Sequence, residues 1–335
     1  MNQIKTDCLI LGAGPTGLFQ VFELGLAGIQ SVIIDSLPMV GGQCSYLYPE
    51  KPIYDIPACP SILAQELIVN LMAQIKPFDC QIFLKNTAQS LSQLPNGNYL
   101  IQTQENAIET KTLVCATGLG AFAPRKIKIN GIDKYENINL FYALRDTASL
   151  RDKTVCICGG GDSALDWAIN LQSLGIKTHL IHRRNEFRGA HASVTTLNAL
   201  VLEKKISLTI GTIESFTGDQ KLHSLIVNNT EIKADVFLVF YGLLPKLGPV
   251  ENFGLTMQKN QICVRVDTFE TNRIGVYAVG DCNTYPGKRK LILSGFHESA
   301  LCAHAIEKYL YPDRKQFNQY TTTSSQLHQR LKLPN

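Results

Sequence analysis

Cys8-Leu9-Ile10-Leu11-Gly12-Ala13-Gly14-Pro15-Thr16-Gly17 begins the stretch that decides the fold. A short apolar run meets three spaced glycines, a helix-like stretch follows to Ala27, and a second apolar run, Ser31 to Ile34, ends in Asp35. Strand, glycine turn, helix, strand, acid is the order of a dinucleotide-binding βαβ unit. Gly12 allows the tight turn. Gly14 removes a side chain so that a pyrophosphate can approach the backbone, and Gly17 lets helix and strand pack closely. The phosphates belong at the helix N-terminus, where free N–H groups and the helix dipole favour anions. Asp35 follows Gly12 by 23 residues, the place for an acid that accepts from ribose hydroxyls.

The pattern recurs. Residues 154–158 are apolar and β-prone, and Gly159-Gly160-Gly161-Asp162-Ser163-Ala164 follows, with alanine in the third glycine place. A helix to about residue 174 leads to a strand over 178–181. The same step of 23 from Gly159 lands on His182, followed by Arg183, Arg184 and Arg188. An acid there would repel a ribose 2′-phosphate, whereas guanidinium forks bind one bidentately. The first turn therefore suits a nucleotide with a free 2′-hydroxyl and the second suits NADPH. Gly159, Gly161, Asp162, Ser163, His182, Arg183, Arg184 and Arg188 are the NADPH candidates. Two dinucleotide units in one chain imply hydride transfer between two cofactors. The other is expected to be FAD, which binds through the same N-terminal fingerprint.

The rest of the chain agrees with a soluble enzyme of this kind. Its 335 residues correspond to about two domains at roughly 150 residues each. Apolar residues are 45% and charged residues 18%, an ordinary globular balance. Lys and Arg exceed Asp and Glu by 32 to 28, too small a surplus to argue for nucleic acid. No apolar run reaches the ~18 residues of a membrane helix, and the N-terminus reads as carrying no signal peptide. Ten cysteines are present, none at Cys-x-x-Cys spacing, so neither a zinc site nor a vicinal redox pair is expected. Cys156 and Cys158 read as alternate residues of a buried strand, and the location is expected to be a reducing cytoplasm.

Residues 36–60 read as a long loop containing Gly41-Gly42-Gln43 and Tyr46-Leu47-Tyr48-Pro49, and loops of that length are usually functional. Residues 61–76 read as a helix with Leu63, Leu67, Ile68, Leu71 and Ile75 on one face. Strands are expected near 80–84, 98–103, 111–116, 235–241 and 274–281, and a helix over 294–308. On that helix Glu298 reads as a first-turn acid favoured by the dipole, and Cys44 reads as packing. Lys288-Arg289-Lys290, with Arg125 and Lys126, read as solvated surface able to dock an acidic protein.

The first fingerprint, Ala116-Thr117-Gly118, the second glycine motif with His182-Arg183-Arg184, and Tyr277-Ala278-Val279-Gly280-Asp281 resemble the thioredoxin reductase-like flavoproteins. The dithiol of thioredoxin reductases is missing: the region that carries it reads Leu140-Phe141-Tyr142-Ala143-Leu144-Arg145-Asp146. A narrower likeness rests on Tyr48-Pro49-Glu50-Lys51, Ile53-Tyr54-Asp55, Ala121-Phe122-Ala123-Pro124-Arg125-Lys126, Asp162-Ser163-Ala164-Leu165-Asp166-Trp167-Ala168 and the tail Tyr320-Thr321-Thr322-Thr323-Ser324-Ser325. These stretches resemble the thioredoxin reductase-like ferredoxin–NADP reductases, homodimeric bacterial FAD enzymes whose C-terminal extension reaches the flavin of the other subunit.

The resemblance implies an α/β fold of two Rossmann-like three-layer domains, the NADPH domain (118–245) inserted into a discontinuous FAD domain (1–117 and 246–335). It implies Thr16 on the FAD pyrophosphate turn, Asp35 on the ribose, Gln43 and Tyr48 at the flavin, Ala88 near the adenine, and Phe122 and Asp281 completing the pocket. Thr322 belongs to the covering tail, and Tyr320 falls where a stacking group opposite Tyr48 is expected. The activity implied is electron transfer between NADPH and ferredoxin or flavodoxin, by hydride transfer to the flavin N5. No side-chain acid or base and no metal is called for. The alternatives are a thioredoxin reductase-like enzyme with another acceptor and a non-catalytic NADPH-binding flavoprotein.

Overall fold

The computed structural model describes residues 2–120, 123–144, 146–244, 248–314 and 320–333. The chain forms two compact units, Met1–Ala121 with Pro245–Asn335, and Phe122–Leu244.

In the first unit the strand Asn2–Leu11 lies between Ser31–Ile34 and Asn106–Cys115 and is parallel to both. Gln81–Phe83 continues the sheet on one side, Tyr99–Gln102 and Ser90–Gln93 on the other. The long strand Asn106–Cys115 changes partner along its length. Residues 107–110 pair with Tyr99–Gln102 and residues 113–115 with Val276–Ala278, which brings the late chain into the sheet one strand away from the opening strand. Side chains alternate across the sheet with the period of two that a strand imposes. Cys8, Ile10, Ile33 and Val114 join the helices Pro15–Ala27, Ala64–Ile75 and Ile292–Leu310 in one core. Leu9, Leu11, Val32 and Ile34 pack on the other face with Ile101, Phe253 and Ile262. Both faces are covered, which is why residues 8–11 form an unbroken apolar run.

The expected helix over 61–76 is Ala64–Ile75, buried through Leu67, Ile68, Leu71 and Ile75. The loop 36–60 is less irregular than expected. It holds a short helix, Gln43–Tyr46, and the strand Pro52–Ile53 paired with Ile62–Leu63.

In the second unit five parallel strands run in the order Leu140–Phe141, Val236–Phe240, Thr154–Gly159, Lys177–His182, Ile206–Ile210. The strand that ends in the second glycine turn is thus central, as in the first unit. Cys156 and Cys158 are buried on it, and all ten cysteines are free thiols. The helices Asp162–Ser173 and His191–Leu202 and an antiparallel sheet of Ile213–Gly218, Leu222–Val227 and Thr230–Lys233 complete the unit. No helix among the described residues is long and apolar enough to cross a membrane.

Candidate functional site

Gly12 has φ of 112°, and a Cβ there would lie 2.4 Å from the Ala116 carbonyl oxygen. A Cβ on Gly17 would lie 1.9 Å from the Gly12 carbonyl oxygen, so turn and helix meet backbone to backbone. Gly14 is different. A Cβ there would meet nothing within 4 Å, and Gly14 is the N-cap of Pro15–Ala27. Its bare Cα faces open space at a helix N-terminus, which fits an approaching phosphate.

Asp35 stands at the end of Ser31–Ile34 and is 9% exposed. Its two carboxylate oxygens accept from the Ala13 N–H at 2.7 Å and the Leu37 N–H at 2.8 Å. Burial raises its pKa above the usual aspartate value, against the lowering effect of these two hydrogen bonds. The acid therefore braces the glycine turn while keeping further lone pairs for hydroxyl donors.

Around this turn lie the other expected residues of the first unit. The Gly41 N–H donates to the Ala13 carbonyl at 2.7 Å, and Gln43 follows directly at the start of the short helix. Tyr48 is half-buried and lies close to the Cys44 thiol. Burial pushes the Cys44 thiol up to about 11 and the Tyr48 phenol further still, and both feel the charge of Asp281. Cys44 is buried in the core, as expected of a packing residue. Asp281 itself is raised by burial and drawn back by Lys288 and Lys290. Thr16 places its hydroxyl where a Cβ on Gly295 would come within 2.3 Å and one on Gly280 within 3.1 Å, so the Asp281 turn, the helix Ile292–Leu310 and the first glycine helix close on one another. Ala88 is buried at 8% exposure in the core on the opposite face of the sheet from the helices. Phe122 lies outside the described residues.

Tyr320 and Thr322 are not brought to this group. Tyr320 is 68% exposed, and the Thr321 carbonyl is bound by His328 of the tail helix Ser325–Arg330. That helix is fastened by Arg330 to the Leu26 carbonyl, at the C-terminal end of Pro15–Ala27. Thirteen residues at 1.5 Å each put that end about 20 Å from the Gly14 end.

The second turn repeats the first in geometry. Gly159 has φ of 156°, and a Cβ there would lie 2.5 Å from the Phe240 carbonyl oxygen. Gly161 is the N-cap of Asp162–Ser173 and, like Gly14, would carry its Cβ into open space. At Gly160, the counterpart of Ala13, the His182 ring occupies the space of a side chain, 2.2 Å from where a Cβ would stand. His182 stacks on Phe187 with centroids 5.1 Å apart, and its Nε2 pairs with the Glu186 carbonyl at 3.1 Å. Burial lowers its pKa, helped by the charges of Arg183, Arg184 and Arg188. The loop carrying the arginines is tied down twice: the Arg188 N–H donates to the Gly160 carbonyl at 2.8 Å, and Asp162 accepts from the Ala190 N–H at 2.8 Å. Asp162, Ser163, Arg183, Arg184 and Arg188 are exposed and line, with the glycine turn, a cavity of about 740 Å³ inside the second unit. Among the described residues no carboxylate pairs with the three arginines.

Two expectations are corrected. The helix read as 294–308 begins at Ile292, so Glu298 lies beyond its first turn and does not serve the dipole. Glu298 is fully buried and accepts from the Gly280 N–H (2.7 Å), Asn283 Nδ2 (2.9 Å), the Tyr285 hydroxyl (2.9 Å) and the Lys288 ammonium. Lys288, read as solvated surface, is thus in a buried ion pair with 7% side-chain exposure. Lys126 is likewise engaged, by Glu136 at 2.6 Å.

A family model described as pyridine nucleotide-disulphide oxidoreductase matches residues 6–307. The chain is 46% identical over 335 residues to a ferredoxin–NADP reductase of Nitrobacter winogradskyi, covering 98% of each protein. It is 46% identical to one of Bradyrhizobium diazoefficiens over the same shares. Among solved structures, T. acidophilum thioredoxin reductase superposes with a TM-score of 0.77 at 19% identity, over 91% of this chain and 99% of that one, a likeness of fold. The chain belongs to the pyridine nucleotide-disulphide oxidoreductase family. Its fold is the two-domain α/β arrangement that the paired glycine turns imply.

Proposed function

We propose that the chain is a ferredoxin–NADP reductase, an FAD-dependent enzyme that moves electrons between NADPH and ferredoxin or flavodoxin. The observation that carries the reading is the exchange at one position in two turns of equal geometry. A carboxylate braces the first, and an imidazole with three guanidinium groups that no carboxylate pairs among the described residues stands at the second. The first admits a ribose hydroxyl and excludes a 2′-phosphate by charge; the second attracts one. The names of the full-length relatives support the acceptor, and the absence of Cys-x-x-Cys spacing speaks against a disulfide substrate.

Met1–Ala121 with Pro245–Asn335 is the FAD unit and Phe122–Leu244 the NADPH unit. Gly12, Gly14, Thr16 and Gly17 would hold the FAD pyrophosphate, Asp35 its ribose, Ala88 the adenine through backbone, Asp281 the ribityl chain. Gln43, Tyr48 and Phe122 would complete the flavin pocket. Bound FAD supplies the redox chemistry, taking a hydride and giving up electrons singly. The residues of the chain bind, orient and set charge; no proton donor is needed. Tyr320 and Thr322, both exposed, are assigned to the flavin of a second subunit in a cytoplasmic homodimer.

The test is the absorption spectrum of the purified chain and its bleaching by NADPH and by NADH, followed by ferredoxin and flavodoxin reduction. Bound FAD and at least roughly tenfold preference for NADPH are expected, the preference lost in Arg183→Ala with Arg184→Ala. Equal rates with both nucleotides in the unaltered protein overturn the second-turn assignment. Turnover with ferricyanide and none with either protein acceptor overturns the acceptor.

A further inference from the structure

We propose that Arg125 binds the diphosphate of the nicotinamide nucleotide, on the flank of the cavity opposite the 2′-phosphate site. The inference rests on the NADPH reading above and adds a residue to it. Arg125 lines the same 740 Å³ cavity as the glycine turn and the arginine loop. Its backbone N–H donates to the Gly242 carbonyl at 2.9 Å, which seats it beyond the end of the strand Val236–Phe240.

Strand order decides which part of a ligand it meets. Val236–Phe240 and Lys177–His182 flank Thr154–Gly159 on opposite sides. With neighbouring strands about 4.8 Å apart, the two flanks are separated by about 10 Å, with the glycine turn and a helix N-terminus between them. Nucleotides lie across the carboxyl ends of such strands. A 2′-phosphate on the arginines beyond His182 puts the diphosphate over the central turn at Gly161, about one strand spacing from the flank that carries Arg125, so an extended guanidinium from that flank meets the diphosphate from the side opposite the arginine loop. Of the two cations that open the segment, Lys126 is held by Glu136 and lies 5.8 Å from the Tyr142 ring centroid. Arg125 is exposed and has no carboxylate partner among the described residues. Arg125 therefore recognises charge common to NADPH and NADH, whereas Arg183 and Arg184 recognise the charge that distinguishes them.

Isothermal titration of the FAD-loaded protein with NADP+ and with NAD+ tests this. Arg125→Ala is expected to weaken both by a similar factor of about 10, with partial recovery in Arg125→Lys. Arg183→Ala weakens NADP+ alone. Unchanged NADP+ affinity in Arg125→Ala overturns the proposal, and so does a loss confined to NADP+, which puts Arg125 on the 2′-phosphate. A variant that binds both nucleotides normally and fails only in ferredoxin reduction assigns Arg125 to protein docking instead. Absence of NADP+ binding by the unaltered protein, in contrast, removes the NADPH reading itself.

Discussion

The two glycine turns have the same backbone and opposite surroundings. At Gly12 and Gly159 a side chain would strike the carbonyl of the neighbouring strand at 2.4 and 2.5 Å; at Gly14 and Gly161 it would meet nothing. The turn geometry is thus common to both, and the residue 23 positions on sets what each can accept. Asp35 reaches forward to the Ala13 N–H, so the residue after the first glycine can carry a methyl group. His182 lies flat against the corresponding residue, which must be Gly160. One exchange of side chain alters the charge of the site and the space beneath it together.

The turns also differ in what supports them. The second is held by its own loop, through Asp162 and the Arg188 N–H. The first is closed by chain more than 260 residues on, where Gly280 packs on Thr16 and Glu298 fixes the Gly280 N–H. The largest predicted effect tests this asymmetry. Lys288→Met strands a fully buried carboxylate and is expected to cost about 3–5 kcal/mol, with FAD released at lower temperature. Asp162→Ala removes one exposed hydrogen bond and should cost about 0.5–1.5 kcal/mol. Thermal unfolding followed by flavin fluorescence measures both, and equal losses would erase the distinction between a remote and a local support.

Gly17 and Ala164 give the next test. A methyl group on Gly17 would stand 1.9 Å from a backbone oxygen, whereas the second turn already carries one at Ala164. Gly17→Ala is expected to destabilise by about 1–3 kcal/mol through overpacking and to reduce FAD retention. Ala164→Gly should cost only about 0.5–1 kcal/mol, as glycine in a helix does. Chemical denaturation midpoints compare them, and a Gly17→Ala protein as stable as its parent would show that the first turn has slack.

Much of this contrast is legible in the sequence because a βαβ unit fixes the step from glycine to strand end. Asp35 and His182 are found by counting, and their neighbours by charge. Glu298 is not. Its four donors come from Gly280, Asn283, Tyr285 and Lys288, positions with no shared period, gathered only because Val276–Ala278 joins the sheet beside Asn106–Cys115 and the next helix starts at Ile292. The helix His191–Leu202 is faint for another reason. Only Leu197 is buried on it, and Leu202 is 84% exposed, so no apolar face marks it. The short helix Gln43–Tyr46 is a single turn, too brief to show a period.

Asp35→Asn sharpens the comparison at the first turn. An amide offers one acceptor where the carboxylate offers two, so either the Ala13 or the Leu37 N–H would face an NH₂ group. The expected loss is about 1–3 kcal/mol with weaker FAD binding. A variant with unchanged FAD affinity would leave Asp35 a purely structural brace.

The smallest effect is one of pH, and the two strand-end residues have opposite signs. Burial raises the Asp35 pKa above 3.8, so the folded state holds that proton more tightly than the unfolded chain. Its contribution is present below the unfolded value and is lost as pH rises through the folded one. The His182 pKa lies below 6.5, so the unfolded chain binds the proton more readily. Its contribution is present above 6.5 and is lost as pH falls below that value. The ring is half-buried, and solvent screening keeps its contribution under about 1 kcal/mol. Between pH 8 and 5, about a unit and a half on either side of 6.5, His182→Asn should therefore flatten the fall in unfolding midpoint. His179, also lowered by burial, remains in both proteins and cancels in the difference. Parallel pH profiles for the variant and its parent would show that the imidazole above Gly160 titrates as it does in the unfolded chain, and the second turn would then owe its selectivity to the arginines alone.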